Sequence, residues 1–529
     1  MEFHRPHEEH LLGYFRTKLA HKGFEFSNDN GSNSQYPLYS DTYLLWMTRE
    51  SNLAADVDKI MNYIALSEPF ASAALPTDRF TIMALESRYT SPESLRHMLT
   101  KLDKRLVITS LIVVHVAAVC LAIAYASRYH PELILGSPVH GSLTPTVILL
   151  LSLPLALIFG LAEFSFGYLV SFYLYQMLAG FMFLNTFTGR SYDHDLAAAS
   201  AFGSVILFLI PALFLHPRPK LPFTLSCRAF DAVLLLILLL AFLTILAAAF
   251  YNFRIEYGSL TELRTELSTA RLRGELRFPT PVRYAIGIFS SALLPFAFAC
   301  FLLRRQHWKA AASLVLMALF FPITLSKTTL FAPAWLLFVA ALAKMFEARI
   351  AAIASLSFPL LIAVLTVDIA PQPNYVFDLL AFRMIDIPSA ALDVYNEFFA
   401  HHELTYFCQL SLTNVLVTCP YQEQLGVVMA KTYGFGNYNA SLFATEGIAS
   451  VGLVLAPVSA LACGLVIALG NCLSGRLPSE IVLISSSVLC QAILNVPLST
   501  AIVTHGGGLL FLLWCISPPE AFRKKPASS

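Results

Sequence analysis

Residues 101–126 of the chain read KLDKRLVITSLIVVHVAAVCLAIAYA. From Leu106 to Ala126 no Asp, Glu, Lys or Arg interrupts the run. A helix of that length is about 30 Å long, the thickness of a bilayer's hydrocarbon core. Lys101, Lys104 and Arg105 stand directly before it, and cations flanking a first span hold that end in the cytoplasm. The stretch reads as the first transmembrane helix, entered from inside.

The pattern repeats outward from it. Apolar blocks follow at about 146–162, 168–187, 195–215, 231–251, 284–303, 310–325, 329–346, 350–368, 441–471, 479–496 and 499–517. Over 529 residues the chain is 57% hydrophobic and 13% charged, where soluble domains carry about 25% charge; its mean hydropathy is +0.65. Strands in lipid would alternate in polarity, and these blocks do not, so the spans are helical. The expected fold is all-α, a polytopic transmembrane bundle of about 12 spans. Arg218, Lys220 and Arg228, then Arg304, Arg305 and Lys309, then Lys344 and Arg349, then Arg476, and finally Arg523, Lys524 and Lys525 all fall on the inner side under that count. Both termini are therefore expected inside.

Residues 1–104 read as a cytoplasmic N-terminal region, partly disordered around Asn28–Gln35, with helices over Tyr43–Ile64 and Pro92–Leu102. They lack the order of a cleavable signal peptide, so insertion is expected to begin at the first span. Residues 105–517 form the transmembrane domain and 518–529 a cytoplasmic tail. A net charge of +1 offers no footprint for nucleic acid. No Cys/His spacing suits a metal.

Two outer segments, 251–283 and 369–439, are too long to be connectors and are expected to be periplasmic loops with a function. In the first, Ser259 and Glu262 read as a capping box, and Leu260, Leu263 and Leu267 continue at helical spacing up to Gly274. Arg264, Arg271 and Arg273 line this amphipathic helix. They read either as solvated, snorkelling side chains or as forks for an anion such as phosphate. In the second, Arg383 lies in a semi-apolar run with Asp378 and Asp386, and must be paired or bind something. His401, His402, Glu403 and Tyr406 cluster beyond it. Adjacent side chains diverge on a helix, which disfavours a metal and favours one histidine as a general base. Cys408 and Cys419 are either bonded in an oxidising compartment or two thiols. Asn439 or Ser441 suits a helix cap, Glu446 should face protein rather than lipid, and Lys327 marks a short outer turn.

Three segments carry a resemblance: 302–333 with Ser326-Lys327-Thr328, 382–406 with Arg383 and Glu397-Phe-Phe, and Asn437-Tyr-Asn439 with Glu446-Gly447. Over roughly residues 146–517 the chain resembles bacterial surface-polysaccharide repeat-unit polymerases of the Wzy type. The resemblance implies a membrane-embedded glycosyltransferase of the bacterial inner membrane. It would join undecaprenyl-diphosphate-linked repeat units into O-antigen, capsule or exopolysaccharide. A chain-length regulator enters as a further partner, and neither cofactor nor metal is required. It assigns the diphosphate to Arg264, Arg271, Arg273, Arg383 and Lys327, with Tyr406, Asn437 and Asn439 on substrate. His401, His402, Glu403 and Glu446 become base or acceptor-orienting residues. The competing expectations are an O-antigen ligase and, from another class, a flippase or transporter.

Overall fold

The computed structural model describes residues 104–130, 133, 135, 145–216, 224–253, 278–367, 369, 374–409, 418–434 and 439–522. The expectations for residues 1–103, the amphipathic helix with Arg264, Arg271 and Arg273, Asn437, and the tail from residue 523 lie outside these. The described chain is helical, and its only extended pairing is a single bridge between Leu135 and Thr188.

In order, the helices are α1 (Lys104–Ala126), α2 (Pro145–Leu161), α3 (Phe166–Phe187), α4 (His194–Phe214) and α5 (Cys227–Tyr251). Next come α6 (Thr280–Leu303), α7 (His307–Leu319), α8 (Lys327–Met345), α9 (Ala348–Leu365) and α10 (375–401). Last are α11 (Leu425–Tyr433), α12 (Phe443–Ser474), α13 (Ser479–Ile493), α14 (Leu498–Val503) and α15 (Gly507–Ile516). Among the described residues, nine helices are long and apolar enough to cross a membrane, and three shorter apolar stretches, Ser152–Leu161, Ser479–Ile493 and Gly507–Ile516, join them. This is a multi-pass membrane protein.

The helices differ in what surrounds them. α5 turns Leu235, Leu236, Leu239, Phe242, Leu243 and Leu246 outward, the face a helix shows to lipid. α3 is buried along its whole length and packs against α1, α4, α9, α10, α12 and α13. A helix enclosed by protein can carry polar groups if they are paired. The Tyr173 hydroxyl meets Ser355 Oγ at 2.9 Å, and Gly167 N donates to Asn471 Oδ1 at 2.6 Å. Glycines set the closest approaches. A Cβ on Gly180 would lie 2.2 Å from Ser389 Oγ on α10, and one on Gly464 2.7 Å from the Phe208 carbonyl on α4. Small residues that let backbones meet are the main device of helix association in lipid.

Two expected spans are not continuous. The block at 441–471 is broken at Gly452, whose φ of 75° and ψ of 172° lie outside the helical region. The block at 499–517 divides into α14 and α15 around Gly506, with φ 79°. Glycine tolerates such a backbone, so an apolar stretch conceals the break until the conformation is seen.

Within segment 369–439, α10 is a helix that buries most of Ile385–Phe398. Five acids and bases, Asp378, Arg383, Asp386, Asp393 and Glu397, lower its hydropathy and disguise it. Its first half is π-helical over Asp378–Asp386, where the Ile387 amide reaches back to the Phe382 carbonyl. Such wide turns concentrate at functional sites.

Candidate functional site

The second half of α10 runs beside the end of α3. Asp393, Glu397 and His401 recur every fourth residue, which places them on one helix face. Opposite them is the α3–α4 turn, Thr188–Asp193. Its Arg190 is buried, with Nε 2.9 Å from Asp393 Oδ2 and a terminal nitrogen 2.6 Å from Glu397 Oε2. Thr188 Oγ1 donates to Asp393 Oδ2 at 3.1 Å, and the Tyr192 hydroxyl lies 2.6 Å from Asp393 Oδ1. The Ser191 amide donates to Glu397 Oε1 at 3.3 Å. Tyr433, on α11, lies under the guanidinium at 5.2 Å. Burial opposes the Arg190 charge, and Asp393 and Glu397 outweigh it, holding the guanidinium protonated above its ordinary range. Burial pushes Asp393 up, while Arg190, Tyr192 and Thr188 pull against that rise.

Behind Arg190, Asn185 Oδ1 is 3.1 Å from His194 Nδ1, and His194 Nε2 is 3.1 Å from the Arg190 carbonyl. The turn is thereby fastened to both α4 and α10. Sequence reading missed Arg190 altogether and singled out Arg383 as an arginine that must be paired or bind something. Arg383 is exposed, and eighteen residues of helix, about 27 Å at the usual rise, separate it from His401. The two do not share a site. The available signal for Arg190 was Gly189–Asp195, a short polar turn rich in charge between two apolar spans.

His401 ends α10 and is exposed, with Nε2 3.0 Å from the Ser191 carbonyl. A carbonyl only accepts, so Nε2 carries the hydrogen and the neutral ring offers Nδ1 as the proton acceptor. His402 has the opposite arrangement. Its Nδ1 donates to the Phe398 carbonyl at 2.8 Å, and its ring stacks on Phe398 at 3.9 Å. It therefore offers Nε2. Glu403 is exposed, and its backbone carbonyl accepts from Tyr421 at 2.7 Å.

The chain then turns through Tyr406 and Phe407, both in the left-handed region, and Cys408 is bonded to Cys419 with Cα atoms 5.1 Å apart. This strap completes the break in α12. The Thr405 amide donates to the Ala449 carbonyl at 2.8 Å, and the Tyr406 amide to the Ser450 carbonyl at 3.2 Å. Ser450 Oγ donates to the Thr445 carbonyl, Ser459 Oγ to that of Glu446, and Ser200 Oγ to that of Leu453. These carbonyls around the break are each satisfied, as a buried backbone requires. The strap and broken helix therefore form one unit.

Glu446 lies inside it, facing protein. Its Oε1 accepts from the amide and hydroxyl of Ser499, both at 3.0 Å, and its Oε2 accepts from Thr445 Oγ1 at 2.5 Å. Glu446 thus ties the first part of α12 to the first turn of α14 and is buried, whereas His401 is exposed. Asn439 packs on α11, with its side-chain Oδ1 lying where a Gly426 Cβ would be. Lys327 opens α8, and its side chain is outside the described atoms. His401, His402, Glu403 and Tyr406 are thus exposed along one short stretch of chain, Glu446 is buried in α12, and Arg383 is exposed near the other end of α10.

The chain matches no family model, no curated protein and no solved structure. Among the described residues no cluster of His, Cys, Asp and Glu has the arrangement of a metal site.

Proposed function

We propose that the chain is a polysaccharide polymerase of the bacterial inner membrane, joining undecaprenyl-diphosphate-linked repeat units at the outer face of a twelve-span bundle with both termini inside. The observation that carries this reading is the strap unit: a disulfide-bonded segment presenting paired histidines and an acid above a fastened arginine turn. Disulfides persist in oxidising compartments, which agrees with a periplasmic position for this end. The resemblance in residues 302–333, 382–406 and 437–452 points the same way.

In this reading the acceptor sugar hydroxyl loses its proton to Nδ1 of His401, while Glu403 orients the acceptor. The oxygen attacks the anomeric carbon of the donor, and the C–O bond to undecaprenyl diphosphate breaks. The leaving group departs as a stabilised anion, so the chemistry consists of positioning and charge stabilisation. Arg264, Arg271 and Arg273 are the cations proposed for the diphosphate. Arg190, already committed to Asp393 and Glu397, positions the α10 face that carries His401. Deleting the gene tests the reading: single repeat units without long chains support a polymerase, and full-length polymer stranded on its carrier indicates a ligase.

The two interrupted helices favour a second reading, a flippase or transporter. Discontinuous helices that meet at a buried polar residue, as α12 and α14 meet at Glu446, recur in transport proteins. Lipid-linked units accumulating on the cytoplasmic side of the deletion strain would select it.

A further inference from the structure

α5 begins, α6 ends and α7 begins at one corner of the bundle, and the three helices pack on one another. The chain between α6 and α7 reads Leu302-Leu-Arg-Arg-Gln-His-Trp-Lys309. Arg304 donates to Asp231 on α5. Asp231 is the one acid of α5, and neither α6 nor α7 carries any. Arg228 on α5, and Arg305 and Lys309 in and after the turn, are exposed. Among the described residues none of these three stands in an ion pair. The corner therefore holds a surplus of positive charge after its own acid has been answered.

The turn holds one of those cations against a backbone preference. The Arg305 amide donates to the Leu302 carbonyl at 3.0 Å, and the Gln306 amide to that of Phe301 at 2.8 Å. This pair of bonds is the helix cap whose left-handed residue is usually glycine. Here that residue is an arginine at φ 57°, a conformation that a side chain resists. Lys309 reaches back over the Phe301 ring at 5.7 Å, which keeps its charge beside the turn.

Trp308 is 90% exposed, and none of the large apolar side chains among the described residues is more so. With Ala312, Val315 and Leu319 it makes an exposed stripe along α7, spaced for one helix face. An apolar stripe open to lipid that ends in tryptophan sets the indole at headgroup level. Cations beside a span orient it whatever their conformation. A strained arginine, unanswered charge and an open indole at one level describe recognition as well.

We propose that this corner is a binding site for an anionic glycerophospholipid. Arg305 and Lys309 donate to the phosphate oxygens, and Arg228 adds charge from α5. Trp308 lies beside the glycerol, and the acyl chains follow the α7 stripe and the outward leucines of α5. A zwitterionic headgroup brings an ammonium among these cations, so the site selects a lipid of net negative charge. The site does not rest on the glycan chemistry.

Tryptophan fluorescence of the purified full chain in nanodiscs tests it. The discs hold equal parts of phosphatidylglycerol and phosphatidylcholine, with brominated acyl chains on one lipid or the other. The signal of Trp308 is the difference between wild type and Trp308→Phe. Brominated phosphatidylglycerol should quench that signal severalfold more than brominated phosphatidylcholine. The preference should fall to parity in the double variant Arg305→Gln with Lys309→Gln, and persist in Arg105→Gln at the start of α1. Equal quenching by the two lipids in the wild type overturns the site, leaving only charges that orient the span. Quenching by neither lipid also overturns it, because the face would then be covered by protein. A preference lost equally in Arg105→Gln overturns the assignment to this corner.

Discussion

Replacing Arg190 with methionine keeps the aliphatic stem of the side chain and removes its charged head. Asp393, 3% exposed, would then be held by the hydroxyls of Thr188 and Tyr192 alone. Removing one partner of a buried ion pair costs about 3–5 kcal/mol, because a charge is left without compensation. Glu397 is more exposed, at 21% of its side chain, so solvent screens most of its share and it adds at most about 1 kcal/mol. Adding Asp393→Asn removes the stranded charge and should return about 1–3 kcal/mol, the usual coupling between residues in contact. The assay is equilibrium unfolding of wild type, Arg190→Met, Asp393→Asn and the double variant in mixed micelles. Losses that add to within about 0.5 kcal/mol, or an Arg190→Met protein as stable as wild type, would refute the clamp.

Other outcomes follow from the same geometry. Gly452→Ala puts a side chain at φ 75° and within 3.4 Å of Leu404, so it should cost about 1–3 kcal/mol and loosen the strap; unchanged protection of the Thr405 and Tyr406 amides in hydrogen exchange would contradict the break. Gly180→Ala meets Ser389 Oγ on α10, and combining it with Ser389→Ala should recover part of the lost stability in the same unfolding assay. An impermeant maleimide should label half-exposed Cys419 only after reduction and only from the periplasm, with exposed Cys227 reacting from the opposite side; labelling of Cys419 from the cytoplasm would invert the topology. His401→Ala should lower chain growth about 10²–10⁴-fold, the usual contribution of a general base, with protein level and unfolding midpoint unchanged; normal chain length would remove His401 from the reaction.

What could be read directly from the sequence was whatever lipid enforces. Leu106–Ala126 must satisfy its own backbone and exclude charge, so length and composition disclose the span. The same logic failed for α10, where burial comes from other helices and charge is tolerated because Arg190 answers Asp393. The partner lies two hundred residues away on a turn of six, and only the fold brings them together. Likewise His401, His402 and Glu403 were visible as a cluster, whereas the opposed hydrogen bonds to Ser191 and Phe398 were not. The breaks at Gly452 and Gly506 were hidden because apolar composition says nothing about φ. Arg383 drew attention for standing alone in an apolar run, yet it projects outward from the helix that buries its neighbours.

The most direct measurement of the central claim is reconstitution. Purified protein in proteoliposomes would be supplied with a single species of undecaprenyl-diphosphate-linked repeat unit, and the glycans released and resolved by size. A ladder spaced by one repeat unit, with free undecaprenyl diphosphate released in step and both lost in His401→Ala, is the expected result. Translocation of the lipid-linked unit across the bilayer with no ladder would contradict polymerisation and establish transport instead.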